Sequence, residues 1–366
     1  MDQRVSMADG RRQEPAPPVP PAGGPRVRER LRAGLVSLVA GTLLLGVKFW
    51  AYSLTGSTAV YSDAMESIVN VVAAVFALGA IVFAARPADS NHPYGHGKME
   101  FFTAVFEGGS VAFAAVMILR EGVLALVEGP SVRRLDLGLA MILGAGLGNA
   151  LLGWYLVRAG RRTHSPALVA DGKHVLSDFW TSAGVVAGLA LVRATDVLWL
   201  DPVIAIAVAL LLCWAGIRLV RQAAGGLLDE EDPELLEELA SLFARMPVEG
   251  AIEVHETRAI RSGSYAHVDA HVVVPEFWTV DRAHDASEEM ERWMLAGWKR
   301  DGEIFFHLDP CRRAYCGRCT LKDCPVRGEP FRERPPVTRE TIVGPPYMPG
   351  GGREIKGRIR ASGGAA

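Results

Sequence analysis

Two patterns of apolar and polar positions divide the chain near residue 225. Before it, about six apolar runs at 31–52, 57–85, 101–126, 137–157, 167–192 and 198–219 are separated by short polar stretches. Each is about the length that crosses a bilayer as a helix. After it the pattern shortens. Asp229-Glu-Glu-Asp-Pro-Glu234 reads as a helix start, with acids in the first turn and Pro233 near its beginning. Leu235, Leu236, Leu239, Leu242 and Phe243 form the apolar stripe of that helix. Strand-like runs follow at 252–260 and 265–274. The second sets Ala266, Val268, Ala270 and Val272 against His267, Asp269 and His271. A helix near 280–295 and a strand near 303–308 complete an αββαβ unit, a small two-layer α+β domain.

The polar exceptions inside the apolar runs carry the chemistry. Asp171, His174 and Asp178 share one face of the fifth run, spaced by three and then four. Asp63, Glu66 and Asn70 repeat that spacing in the second. Ionisable groups in a membrane helix are costly and usually face a bundle interior and a pathway. If the two helices run antiparallel, Glu66 lies near the depth of Asp178 and Asn70 near that of His174. Two carboxylates, an imidazole and an amide oxygen suit a tetrahedral divalent metal. The competing reading is interhelical hydrogen bonds or helix caps, and it weighs more for Asp63 and Asp171, nearer the helix ends.

The loop Pro87-Ala-Asp-Ser-Asn-His-Pro-Tyr-Gly-His-Gly-Lys98 brings Asp89, His92 and His96 within eight residues. These can ligate a zinc-like ion, although turn chemistry alone also explains Asp89 and the glycines. In the second half, His255 and His271 fall on neighbouring strands. His307 and Asp309 share one strand face, and His284 lies on the helix between. His267 is either a further ligand or an exposed polar residue.

The chain has 366 residues and a formal net charge of −2, so no basic field points to nucleic acid. Residues 1–30 are rich in Pro, Gly and Arg, contain no secretory signal and read as disordered. Arg26, Arg28, Arg30, Arg32, Arg86, Lys98, Arg158, Arg161, Arg162, Arg218 and Arg221 flank one side of the runs. Arg133, Arg134 and Arg193 lie on the other, with Lys48 near a helix end. The positive-inside rule then puts both termini and the 86–98 loop in the cytoplasm. Four of the five cysteines, Cys311, Cys316, Cys319 and Cys324, fall within fourteen residues and precede Pro325. Such a set can close a tetrahedral zinc site or hold an iron–sulfur cluster, or stay as reduced thiols. Cys213 reads as helix packing.

Taken together, the polar-striped second helix, the Asp-x-x-His-x-x-x-His-Gly-Lys loop, the His-x-x-x-Asp fifth helix and the His-x-Asp-Pro end of the soluble domain resemble the cation diffusion facilitators, from about residue 30 to 311. The resemblance implies a homodimeric exporter of divalent metal in the inner (plasma) membrane, driven by proton antiport. The implied cargo is zinc, iron(II) or both, with manganese and cobalt as further candidates. It implies membrane ligands at Glu66, Asn70, His174 and Asp178, and a loop site at Asp89, His92 and His96. Regulatory ligands fall at His255, His271, His284, His307 and Asp309, and a salt bridge joins Lys98 to Asp229. Zinc-transporting members often carry Asp or His and then Asp where this chain has Glu66 and Asn70, so the metal stays open. The cysteine cluster lies outside the resemblance.

The expected fold class is therefore six transmembrane helices followed by a cytoplasmic αββαβ domain of ferredoxin-like, metallochaperone-like form. The expected division is 1–30 disordered, 31–225 transport, 226–310 sensing and dimerisation, 311–325 cysteine cluster and 326–366 disordered tail. A membrane metal sensor without flux is the alternative function. A membrane metalloprotease finds no His-Glu-x-x-His motif.

Overall fold

The structure, a computed structural model, describes residues 25–55, 58–128, 136–197 and 199–347. It divides into two compact units, Met1–Ala224 and Gly225–Ala366.

The first unit holds long helices α1 (Pro25–Thr55), α2 (Thr58–Ala84), α3 (Met99–Glu128), α4 (Asp136–Thr163) and α5 (Pro166–Thr195). α6 (Leu200–Leu227) begins in it. By length and composition α1, α3 and α6 can each cross a membrane. The others interleave apolar stretches with polar positions. Outward-facing Leu43, Trp50, Phe113, Leu211 and Trp214 are largely exposed, as a lipid-facing surface requires. α5 lies among its neighbours: Leu168 and Val175 pack with Ile81 of α2 and Leu156 of α4, and Ala170 packs with Ala104 of α3 and Leu219 of α6.

The α4–α5 hairpin sets the depth of α5. His164 adopts a left-handed φ of 55°, and the Ser165 amide returns to the Gly160 carbonyl at 2.9 Å, closing the α4 end. Pro166 then opens α5, where its missing N–H costs nothing. Small residues let the two backbones touch. A Cβ at Gly172 would lie 2.7 Å from the Val157 nitrogen and 2.9 Å from the Gly153 carbonyl oxygen. Close approach through small residues is how membrane helices gain packing contacts without a hydrophobic driving force between them.

The second unit runs α7 (Pro233–Phe243), β1 (Glu253–Ser262), β2 (Tyr265–Val274), α8 (Val280–Gly297), β3 (Asp301–Pro310) and a short α9 (Arg339–Val343). Asp232 caps α7, its carboxylate accepting from the amides of Glu234 and Leu235 at 3.0 and 3.2 Å. The sheet order is β1-β2-β3, with β1–β2 antiparallel and β2–β3 parallel across α8. The expected α7 stripe is buried in full, against Val268, Val272 and Ile304 of the sheet and Met290 and Met294 of α8. Each large aliphatic side chain so placed contributes about 1.5–3 kcal/mol.

The tail from 326 was expected to be disordered, and over 326–347 the structure differs. Ile342 of α9 is fully buried in the main core of this unit. The Gly344 carbonyl accepts the Glu256 amide at 2.9 Å, at a β1 bulge where Glu256 has φ 44°. Arg334 reaches the Ala251 carbonyl, and the Tyr347 amide reaches Glu253. A few anchors suffice to order a stretch whose average composition suggests disorder. The N-terminal disorder expected over 1–30 is likewise corrected at its end, where residues 25–30 open α1 and Arg30 is buried against Glu100; residues 1–24 and 348–366 lie outside the described residues.

Candidate metal centres

The membrane group is built from three helices. His174 and Asp178 lie one turn apart on α5, only 6% and 5% exposed. From α2, the Asn70 amide nitrogen donates to Asp178 Oδ2, and its oxygen Oδ1 sits 2.9 Å from His174 Nε2. The expected pairing of Asn70 with the depth of His174 is present. Glu66 and Asp63 belong to α2, but their side chains lie outside the described residues. Asp171 is tied elsewhere, accepting from Ser37 Oγ at 2.7 Å.

The third helix adds a residue that the sequence reading missed. Glu107 of α3 is fully buried, its Oε2 2.7 Å from His174 Nδ1. The approach is close but off the hydrogen-bond axis, so neither Glu107 oxygen has an aligned donor. Oxygen atoms thus stand beside both nitrogens of one imidazole. A signal was available: Glu100 and Glu107 are acids in an apolar run, seven residues and hence two turns apart on one face. Glu100, also fully buried, pairs with Arg30 at 2.9 Å and accepts from Ser165, bracing the α4–α5 turn against α3.

The 85–98 loop forms a second group. Asp89 Oδ1 accepts from the amides of Asn91 and His92 at 2.9 and 2.8 Å, an Asx turn that fixes its carboxylate. The His92 amide is the main reason its carboxyl titrates below the usual range. His92 Nδ1 lies 3.1 Å from Asp89 Oδ1 and His96 Nε2 3.4 Å from Oδ2. Gly95, at φ 77°, makes the turn that returns His96. His96 is buried edge-on against Phe83, its Nδ1 without a hydrogen-bond partner. Ligand atoms of all three residues fall within 4.8 Å of one another.

The third group follows from sheet register. His255 pairs with His271 across β1–β2, and His271 with His307 across β2–β3, so three imidazoles stand in a row. Asp309, two residues on, turns its carboxylate into the row. Its Oδ2 lies 2.9 Å from His271 Nδ1 and 3.3 Å from His255 Nε2, and its Oδ1 lies 3.6 Å from His307 Nε2. His255, His271 and Asp309 form a group within 4.8 Å, and the His307 ring lies 4.5 Å from that of His271, tilted by 46°. Burial, the largest influence, holds His255 below its usual value against the pull of Asp309. His284 stands apart on α8, exposed and 3.3 Å from Glu288 one turn away. His267 pairs with Glu303 at 2.7 Å.

The four cysteines line one pocket after β3, with Cys311, Cys316 and Cys319 buried. None forms a disulfide, and burial pushes the Cys311 thiol up. Among the described residues the sulfurs do not form a group as close as the two histidine–aspartate groups. Lys98 ends the loop just before α3, and Asp229 follows α6 with a left-handed φ of 57°.

A helical bundle with a buried histidine–carboxylate set, joined to a small α/β domain carrying a second such set, is the architecture of a membrane cation transporter. The chain belongs to the cation efflux family. The model of the cation efflux transmembrane domain matches residues 34–228, and that of the cation efflux protein cytoplasmic domain matches 232–311. The chain is 37% identical to the uncharacterized transporter sll1263 of Synechocystis over 277 residues, 75% of this chain and 89% of the relative. It is 25% identical to the manganese efflux system protein MneP of Bacillus subtilis, over 76% of this chain and 95% of the relative. It is also 25% identical to the cation-efflux pump FieF of Cronobacter sakazakii, over 76% and 92%. The protein is thus a membrane protein of a transporter family, with a cytoplasmic domain after its helices.

Proposed function

We propose that the chain exports a divalent transition metal ion from the cytoplasm in exchange for protons. The zinc and iron(II) ions are the leading cargo, with manganese and cobalt beside them. The observation that carries this reading is His174, held among Asn70, Asp178 and Glu107 in a buried pocket of the helical unit. A bare divalent ion in hydrocarbon costs tens of kcal/mol, so the pocket must replace its water shell. Asn70 Oδ1, Asp178, His174 Nε2 and, from α2, Glu66 supply that shell. With oxygens beside both ring nitrogens, the pocket can hold a ring carrying two protons. A metal at Nε2 displaces one of them, because ligands bind deprotonated. Exchange at one ring nitrogen couples the two fluxes. The ligand set is mostly oxygen with one imidazole, which accepts iron(II) and manganese as well as zinc, and the name of MneP keeps manganese in view.

The rest of the chain fits this reading. The arginine-rich flanks support cytoplasmic termini in the plasma (inner) membrane. Homodimerisation through the cytoplasmic domain fits the matched family model. Asp89, His92 and His96 make a loop site. His255, His271, His307 and Asp309, with His284 joining from α8, make a cytoplasmic metal sensor, and Lys98 with Asp229 an ion pair linking the two parts. The sensor group also favours a second reading, a membrane metal sensor without flux. Reconstitution into proteoliposomes separates the two. An acidic vesicle interior should drive accumulation of zinc or iron(II) from outside, and a protonophore should stop it. Binding without accumulation under that proton gradient leaves only the sensor.

A further inference from the structure

Residues 311–337 form a long segment whose only regular structure is the 3-10 turn Arg313–Tyr315. Both family models stop at or before residue 311. Irregular stretches of this length are uncommon in compact domains unless they serve a function or are held by something other than secondary structure. Yet this one is placed in detail. Arg327 donates to the carbonyls of Cys316 and Cys319 at 3.3 Å and to that of Leu321. The Gly317 carbonyl accepts the amides of Arg332 and Glu333. Cys311, Tyr315 and Cys319 pack on Ile252 and Val273 at the sheet end.

We infer that Cys311, Cys316, Cys319 and Cys324 bind one structural zinc ion that staples this segment to the end of the sheet. Three observations carry it. All four thiols line one pocket, three of them buried and none oxidised. Two sulfurs already accept backbone amides, Cys311 Sγ from Glu276 at 3.4 Å and Cys316 Sγ from Gly328 at 3.3 Å. Such N–H···S contacts support thiolates around a metal. The pocket is also cationic on balance, with Arg312, Arg313 and Arg327 against Glu276. A divalent ion with four thiolates carries a net charge of about −2, which that arginine set offsets. Four sulfur ligands leave no open coordination position, so the site is structural. With zinc–sulfur bonds of about 2.3 Å, the sulfurs of a closed site stand about 3.8 Å apart. One ion held by four sulfurs spread from Cys311 to Cys324 ties the segment to the end of β3, and those bonds are the staple. Simple packing of four small apolar side chains is the rival account.

The test uses the full-length protein, purified without chelators and in cobalt-loaded form. The histidine–carboxylate groups also bind metal, so the readout must be specific for sulfur. Cobalt in a four-thiolate site gives an intense thiolate-to-metal charge-transfer band that nitrogen and oxygen ligands do not. The inference expects that band in the native protein and its loss in Cys316→Ser/Cys319→Ser, with about one zinc fewer per chain. Iron with acid-labile sulfide in place of zinc overturns the single-ion site in favour of a cluster. No charge-transfer band, with equal zinc in both proteins, overturns metal binding at the cysteines altogether. Should the double variant not fold, a mercurial thiol reagent titrated into the native protein decides. Zinc released in step with four modified thiols sustains the site, and thiol modification without release refutes it.

Discussion

His174 has oxygen atoms beside both ring nitrogens, Asn70 at Nε2 and Glu107 at Nδ1. In the proposed mechanism cargo ligation falls to Nε2, next to Asp178. Removing either α5 ligand should abolish flux without unfolding the bundle, because their polar contacts with Asn70 and Glu107 are few beside the apolar packing of α5 on α2, α3 and α4. His174→Ala and Asp178→Ala should therefore elute like the native protein and show no metal uptake in vesicles. Near-normal uptake by either purified variant would sink the assignment. Glu107 has a different part. A carboxylate behind a ligating imidazole orients the ring and raises its basicity, and losing such a partner typically costs 10–100-fold in metal affinity. Glu107→Gln keeps the shape and removes the charge. Cargo affinity should fall about 10–100-fold, with the fold retained. An unchanged affinity would reduce Glu107 to a pocket-lining residue.

The six helices were legible because each is a long apolar run, and the αββαβ order was legible because α7 and β2 keep clean periodicities. Asn70, His174 and Asp178 were found together because helical spacing of four is itself geometric information. Glu107 was overlooked because its pairing with Glu100, two turns away on the same face, gives no ligand spacing of three or four, and its relation to His174 is purely tertiary. The order of 326–347 was hidden for a related reason, since it rests on single contacts such as Ile342 and Gly344–Glu256. At the scale of elements, the site depends on how closely α4 and α5 touch. Gly172 lies two residues before His174, and an added methyl there meets the α4 backbone at 2.7 Å. Gly172→Ala should cost about 1–3 kcal/mol and part the helices enough to impair transport more than expression. A variant with native melting and native flux would show that α5 is not positioned by this contact. The sheet offers a pH test. Because burial holds His255 below its usual 6.5, the fold prefers the neutral ring. Its contribution is complete above 6.5 and is lost as pH falls below it. The metal-free protein should melt at a lower temperature about one unit below 6.5 than one unit above, and His255→Gln should flatten that slope. Parallel slopes in the two proteins would assign the acid sensitivity to other groups.

At the scale of the whole molecule, the question is why a transporter carries a second histidine–carboxylate group outside its helices. Metal bound there can alter flux only if it binds one transport state more tightly than the other. The row His255–His271–His307, closed by Asp309, suits this role because its ligands come from three strands and an ion would fix their spacing. The row also remains partly open, with His307 largely exposed, so a group from elsewhere can complete the coordination. A domain that binds cytoplasmic metal and favours the loading state would make export rise steeply once metal exceeds a threshold. Coupling between distinct sites is typically worth 1–3 kcal/mol, or about 5–150-fold in apparent affinity. Replacing His271, the imidazole nearest Asp309, should remove that coupling while leaving Asn70, His174 and Asp178 intact. In vesicles with the cytoplasmic face outward, His271→Ala should raise the metal concentration for half-maximal flux about 5–150-fold, with little change in the saturated rate. The same curve in both proteins would mean that the group stores metal or only stabilises its domain. A fall in the saturated rate with no shift in concentration would point instead to a structural defect transmitted to the helices. Measuring metal binding to the same two proteins alongside flux distinguishes those outcomes, because only a sensor loses binding and threshold together.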